Sequence, residues 1–296
     1  MVRRIKSKRR TRRGRRRSRQ RGGNQPIIVL QTRWGLGNQI MQYCIGCAVQ
    51  KRFGYKMFIL PPIENVHANN KDYRDLFTRG EKIDVMPDNF MTTEPYIAKK
   101  NGEPLKISDI PEGKNIYLEL LGHFYEVFEH IMPELAKEMH STLNKLYPDL
   151  EFKNDTKSGF IHVRRGDFIT NGWGKDFKFY NSAIKKANSE TNVKTWHMFS
   201  DDLNWCKSQA WDNPKKIKFV DEPDELKTLA IMSNCLGGAV LAQSTFGWAG
   251  ATIGSYQNNA FIIAHIDIIN HSGGGKYIGP SDWIYMNDDG NLQEYK

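Results

Sequence analysis

Gly159-Phe160-Ile161-His162-Val163-Arg164-Arg165-Gly166-Asp167-Phe168 is the stretch on which the fold turns. An apolar, β-favouring run, Phe160 to Val163, ends abruptly in two arginines, a glycine and an aspartate, the pattern of a buried strand that delivers charge to the rim of a sheet. Open α/β sheets keep their ligands at that rim. Each planar guanidinium can donate two parallel hydrogen bonds to one anionic group, so adjacent arginines at a strand end suit a phosphate or diphosphate. A surface salt-bridge cluster is the competing reading.

Downstream the chain alternates. Strands are expected at Thr195–Phe199, Ile217–Val220, Gly238–Ala242 and Ala260–Ile263, with helices at Phe179–Ala187, Leu203–Gln209, Glu222–Asn234 and from Gly247. Repeated βα units make a parallel sheet covered on both faces. Its carboxyl ends offer Arg164, Arg165 and Asp167, then Ser200, Asp201 and Asp202, then Gln243, Ser244 and Thr245. Arginines, carboxylates and hydroxyls therefore converge on one edge. Asp201 also stands where it could cap the helix near Leu203, and Trp205 and Trp248 read as core rather than as stacking partners.

Upstream, Ile27–Leu30 is a β-branched strand, followed by Gly35-Leu36-Gly37-Asn38-Gln39 and a helix from Ile40 to Arg52 that Gly54 closes. The glycines fall short of a dinucleotide fingerprint: the sixth position is Ile40, and no acid follows the second strand, Tyr55–Leu60, until Glu64. Pro61-Pro62 is expected to stop that strand. Residues 64 to 115 read as polar and irregular, Ile116–Leu121 as a strand, and His123 to Leu146 as amphipathic helix with Pro133 starting a second one. Residues 148 to 158 are a candidate linker between an N-terminal α/β domain, 27–150, and a C-terminal one, 151–296.

The net charge of +10 suggests a nucleic-acid binder until it is located. Residues 1–26 hold 13 of the 43 Lys and Arg and none of the 33 Asp and Glu, which leaves the body at −3. So basic a run, nearly without apolar residues, cannot bury enough surface to order itself, and a disordered arm is expected. It suits nucleic acid, an anionic membrane face or an import receptor, and composition does not choose among these. No secretory signal or membrane span is expected. Cys44, Cys47, Cys206 and Cys235 form neither a disulfide framework nor a zinc-like spacing, so buried free thiols and a reducing compartment are expected, with the sequons at Asn154 and Asn270 idle.

Together, G-L-G-N-Q at Gly35–Gln39 with Met41-Gln42-Tyr43, H-V-R-R-G-D at His162–Asp167, F-S-D-D-x-x-W-C at Phe199–Cys206 and Q-S-T-F-G-W at Gln243–Trp248 resemble the α-1,2-fucosyltransferase family in order and spacing. The resemblance runs from about Ile27 to the end. It implies a GT-B-like pair of Rossmann-like α/β domains facing a cleft, with the donor in the C-terminal domain. It also implies GDP-fucose as donor, a glycan acceptor, inversion at the anomeric carbon and no metal. Carried over, Arg164 and Arg165 hold the diphosphate while His162 and Asp167 shape that turn. Asp201 or Asp202 accepts from guanine, and Ser244, Thr245 and Phe246, at a helix start, bind phosphate. Gly35, Gly37, Asn38 and Gln39 face the cleft from the other domain. Gln243 and Ala249 depart from the family's asparagine and second tryptophan, which puts pocket shape in question.

Inverting transfer needs stabilisation of the departing diphosphate and a proton acceptor. An arginine clamp meets the first need without a cation. Asp201-Asp202 as a metal site is the alternative. For the second, Asp167 leads, with His123 possible and Asn38 only as an orienter, since an amide cannot take a proton at neutral pH. A transferase for another nucleotide sugar, a sugar-nucleotide binder without turnover, and a nucleic-acid binder acting through its arm are the rival functions.

Overall fold

The computed structural model describes residues 25–63, 71–88, 90–101, 105–121, 125–151, 153–268 and 279–294 of the 296-residue chain. Residues 1–24, His123 and Asn270 lie outside the described residues, and with them nearly all of the basic arm.

The first half builds a five-stranded, wholly parallel sheet. Strand β1 (Ile27–Arg33) leads into helix α1 (Leu36–Phe53), and β2 (Lys56–Ile63), β3 (Glu81–Lys82), β4 (Tyr96–Asn101) and β5 (Ile116–Leu121) complete the order β3-β2-β1-β5-β4. Gly54 ends α1 at φ 69°, its N–H on Gln50 O at 2.8 Å, as a left-handed cap requires. The bridge between halves is α2 (Tyr125–Phe128) and α3 (Met132–Leu146), the latter with a proline in its first turn.

The second half runs β6 (Ser158–Val163), α4 (Gly166–Thr170), α5 (Phe177–Glu190), β7 (Thr195–Ser200), α6 (Leu203–Ser208), β8 (Ile217–Phe219), α7 (Glu225–Asn234), β9 (Gly238–Leu241), α8 (Thr245–Asn258), β10 (Phe261–His265), β11 (Ile284–Met286) and β12 (Leu292–Gln293). Its sheet is ordered β12-β11-β10-β9-β6-β7-β8, parallel except for the β11–β12 pair. Strand β6 is central and buried along its whole length, so the end that carries Arg164 opens in mid-edge.

Three expectations are corrected. Helix α1 begins at Leu36, so Gly35 is its N-cap and Gly37 and Asn38 belong to its first turn rather than to a loop before it. Strand β2 continues through Pro61-Pro62: β3 pairs only with Phe58 and Ile59, and the β1 register shifts between Gln31 and Arg33, so the prolines sit beside an unpaired edge and a bulge. The segment read as irregular carries β3 and β4, whose sequences show no period-2 pattern because β3 lies exposed at an edge.

One apolar core passes from Ile28 and Leu30 of the first sheet through α1, α3, α7 and α8 to Tyr285 of the second. Trp248 lies fully buried in it, edge-on to Tyr125 and Phe128 at 6.2 and 6.1 Å between centroids. Hydroxyls and amides then tie the halves: Tyr147 OH donates to Asp224 Oδ2 at 2.8 Å, Tyr73 OH to Glu225, and Asn234 Nδ2 to Asn144 Oδ1 at 2.9 Å. The tightest approach is backbone on backbone. A Cβ at Gly37 would stand 2.4 Å from Phe246 N and Thr245 C, nearer than van der Waals contact permits.

Two measurements follow from this packing. Gly37→Ala cannot be relieved by a rotamer change, so it should lower unfolding free energy by roughly 1–3 kcal/mol or more in urea titration. All four cysteines are free and buried, with burial pushing Cys47 up to about 12 and Cys206 up to about 11. The native protein should therefore leave Ellman's reagent unreacted, and the denatured protein should titrate all of its Cys44, Cys47, Cys206 and Cys235 thiols.

Candidate active site

The site grows from the carboxyl end of β6. Chain direction brings the ends of β6 and β7 side by side, with Val163 opposite Ser200, and this sets the arginine pair against the aspartate pair. Arg164 Nη2 reaches Asp167 Oδ1 at 2.6 Å and its Nη1 reaches Asp201 Oδ2 at 2.8 Å, while its guanidinium lies 5.4 Å above the Phe168 ring. Arg165 Nε donates to Asp202 Oδ2 at 3.2 Å, and its Cζ stands 3.8 Å over the Trp205 ring. Trp205, read as core, is half-buried and serves as that platform. The two arginine side chains are 25% and 15% exposed, open enough to be reached and held enough to be aimed.

The aspartates are occupied inside the cluster. Asp201 Oδ1 accepts the Arg165 N–H at 2.8 Å, and a Cβ at Gly166 would meet its Oδ2 at 2.6 Å, so glycine there admits the carboxylate. Asp202, not Asp201, caps α6: its Oδ1 accepts from Trp205 N at 3.0 Å and its own N–H donates to Ser200 Oγ at 2.9 Å.

Helix α8 supplies the opposite wall. Ser244 is its N-cap, extended at φ −137° and making no side-chain capping bond, which leaves first-turn amides directed out of the helix end. Phe246 rests edge-on against His162 at 5.7 Å, and Gly247 leaves room for that ring, a Cβ there falling 2.8 Å from His162 Nδ1. His162 is buried, its Nδ1 without a hydrogen-bond partner among the described residues. Burial, reinforced by the Arg164 charge, pushes its pKa down to about 3, so the ring is neutral at physiological pH.

The sequence profile described as Glycosyl transferase family 11 matches residues 19–286. The chain belongs to that family. It is 25% identical over 269 residues to the α-1,2-colitosyltransferase of Escherichia coli (78% of this chain, 89% of the relative). It is 23% identical over 276 residues to the O-antigen biosynthesis glycosyltransferase WbnK of the same organism (77% and 90%). Among solved structures, fucosyltransferase NodZ from Bradyrhizobium aligns with 77% of this chain and 92% of its own at 10% identity and a TM-score of 0.46. The four-motif resemblance to α-1,2-fucosyltransferases thus holds at the level of the family, and the protein is a glycosyltransferase.

In this family 11 glycosyltransferase the first half reaches the site through the β1–α1 junction. Trp34 adopts φ 64°, a strained conformation for a bulky side chain. It is held by Gln39 Nε2 donating to Trp34 O at 2.7 Å and by its own N–H on Ile63 O at 3.2 Å, while Arg33 N–H meets Gln42 Oε1 at 2.8 Å. Gln39 and Gly37, expected to face the cleft, are instead buried, Gln39 bracing this turn and Gly37 lying against Thr245 and Phe246; Gly35 and Asn38 remain partly exposed beside them. Trp34 was given no role in the reading of the sequence, and Gln42 was named there only within the first motif. Two glutamines three residues apart in the first turns of a helix were the available signal.

A second polar cluster lies further along the same sheet edge. His265, Asp267 and Asp288 have the composition of a metal site, but Lys175, itself buried, pairs with Asp267 and stands 3.5 Å from Asp288. His265 Nδ1 accepts from Asp267 N at 3.1 Å, so the positive charge there comes from lysine and the ring serves as a hydrogen-bonded link. Burial first, then Lys175, pushes His265 down to about 4.

Both histidines are depressed below the 6.5 of an unfolded chain, so the unfolded state takes up protons first as pH falls. Stability should be complete above about pH 6.5 and decline toward pH 4, by about 1.4 kcal/mol per pH unit for each histidine. Urea titrations at pH 7, 6 and 5 on His162→Asn should show that slope reduced by one histidine's share.

Proposed function

We propose that this glycosyltransferase transfers L-fucose from GDP-fucose to a glycan hydroxyl, the 2-hydroxyl of a galactose unit, with inversion and without a metal. The observation that carries the proposal is the Arg164–Arg165 pair, aimed from a sheet edge and steadied by three carboxylates and two aromatic rings. A departing GDP gains charge on its diphosphate, and guanidiniums oriented before the reaction stabilise that charge with little reorganisation. The arrangement proposed is GT-B-like, with residues 27–150 on the acceptor side and 151–296 on the donor side.

The cluster sets two guanidiniums against Asp167, Asp201 and Asp202, a formal excess of one negative charge. Attraction of the diphosphate therefore rests on the direction of individual N–H groups rather than on surplus positive charge. The first-turn amides around Ser244, Thr245 and Phe246 add donors and the positive end of a 14-residue helix. Asp167, engaged by Arg164, acts in this scheme as an organiser of the clamp. Asp201 and Asp202 keep acceptor lone pairs for the adjacent N1–H and N2–H donors of guanine, and Gly35 and Asn38 bound the cleft from the acceptor side.

The colitosyltransferase relative favours a second reading of the sugar, a fucosyl unit lacking its 3-hydroxyl. Parallel assays with GDP-fucose and GDP-colitose on galactose-terminated acceptors distinguish the two. For the clamp, Arg164→Ala should weaken GDP binding roughly 100-fold or more by calorimetry, since charge-assisted bonds contribute about 1.5–3 kcal/mol each. Unchanged affinity would remove the basis of the proposal. Turnover should persist in excess EDTA, and its loss with recovery on adding manganese would put a metal in place of the clamp.

A further inference from the structure

We propose that Trp173 is a carbohydrate-stacking residue, the platform on which the galactose ring of the acceptor rests beside the arginine clamp. The inference rests on the glycosyl-transfer reading above and adds to it a binding residue that lies outside all four motifs.

Contacts lead from the clamp to the indole through a single side chain. The Arg164 guanidinium lies 5.4 Å from the centre of the Phe168 ring, and the Phe168 and Trp173 rings stand 5.6 Å apart at 84° to one another. Phe168 between them is half-buried, whereas Trp173 keeps 36% of its surface in water and Ile169 keeps 47%. An open apolar surface thus stands one ring away from the charge that is to hold the diphosphate.

The turn that presents Trp173 is fixed from both ends. Phe168 O accepts from the N–H of Trp173 at 2.8 Å and of Gly174 at 3.0 Å, and Gly172, at φ 71°, donates to Ile169 O at 3.1 Å. Glycine takes that left-handed conformation at no steric cost. Two residues beyond the indole, Lys175 is buried, its ammonium paired with Asp267 and 3.5 Å from Asp288, past the ends of β10 and β11. His265 completes the anchor, its Nδ1 accepting from Asp267 N at 3.1 Å.

Single exposed apolar side chains are ordinary on a protein surface and need no explanation. What distinguishes this one is its anchor. Burying an ammonium costs desolvation that pairing with carboxylates barely offsets, so the Lys175 cluster adds little net stability, and its effect is to fix position. The thing it fixes is a surface turn with an open indole two residues away. A hydrophobic cap on α4 would need neither the buried charge nor the open ring.

Strand order decides which part of the substrates the indole meets. Along β10-β9-β6-β7 the clamp stands at the end of β6, and Arg165 leans to the β7 side, onto Asp202 and Trp205, where the reading above puts guanine. The Trp173 turn is tied the other way, through Lys175 to residues past β10 and β11. A donor with its base over β7 and its diphosphate over β6 carries its sugar toward β9. The first half closes on that same side, through Gly37 against Thr245 and Phe246 just after β9. The acceptor has to approach the donor sugar there, within reach of the indole.

The chemistry of the two rings matches. An aromatic face carries negative charge density, and the axial hydroxyl of galactose leaves on its opposite ring face a patch of weakly positive C–H groups. Stacking covers that patch and leaves the hydroxyls at the ring edge open to react. It makes and breaks no bond.

The test uses the full chain and the variants Trp173→Ala, Trp173→Phe and Lys175→Met. Steady-state kinetics gives KM and kcat for a galactoside, calorimetry gives GDP affinity, and saturation-transfer NMR reads galactoside contact with the GDP-loaded protein. Trp173→Ala should raise KM for the galactoside about tenfold or more and abolish the NMR contact, because the lost stacking surface served only the acceptor. It should leave GDP affinity and the hydrolysis of GDP-fucose by water within about threefold of wild type, and Trp173→Phe should restore most of the lost affinity. Lys175→Met should raise KM in the same direction with GDP binding intact. A Trp173→Ala enzyme whose KM stays within about threefold of wild type would overturn the proposal, as would a parallel loss of GDP affinity, which would assign the indole to the donor. A wild-type protein that transfers neither fucose nor colitose refutes the parent reading alone. Galactoside contact that is absent from the wild type or survives Trp173→Ala refutes this one.

Discussion

Backbone meets backbone where the first turn of α1 crosses the first turn of α8, and the site depends on that contact. Only a residue without a side chain lets Gly37 lie against Thr245 and Phe246. The crossing brings together two helix starts whose residual amides and dipoles favour negative charge. It also sets the distance between the sheet edges, because each helix is tied to its own strand: α1 to β1 through Gln39 and Gln42, α8 to β6 through Phe246 and Gly247 on His162. The large apolar core around Trp248 fills the space behind the crossing, and Tyr73, Tyr125 and Tyr147 add hydrogen bonds between the two halves.

Around that frame, charge is organised by orientation. The arginines are outnumbered by the carboxylates that hold them, an arrangement that costs electrostatic attraction for an anionic ligand and gains alignment. Hydrogen bonds from fixed guanidiniums discriminate by geometry, and Arg165 between Trp205 and Asp202 has little freedom to move. The buried neutral His162 beneath the clamp fits the same logic. A second positive charge there would sit next to Arg164, and burial keeps the ring uncharged.

Much of this was legible in the residues. The run Phe160–Val163 ending in Arg164-Arg165, and the βα alternation after it, located the second sheet and the edge that bears the arginines, because a parallel sheet covered on both faces writes its strands as short apolar runs between helical periods. Cys44 and Cys47 on one face of a helical pattern read as buried thiols and are so. The first half was harder to read. Strand β3 is two residues long and exposed at an edge, so it lacks any period, and β2 crosses two prolines that a local rule takes as a stop. Asp201 and Asp202 could each cap a helix by type, and the choice fell to Asp202 because Asp201 is drawn to Arg164 and to the Arg165 amide.

By itself the sequence determined the class of fold, the strand end that carries the arginines and the four motifs that place the chain in its family, since each of these is a local pattern of side-chain chemistry along the chain. The tertiary structure alone decided which groups meet across it: Gly37 with Thr245 and Phe246, Arg33 with Glu119, and His162 with Gly247. The reason is distance along the chain. Partners 85 to 209 residues apart leave no periodic trace, and a lone glutamate on a strand looks the same whether it faces water or a guanidinium.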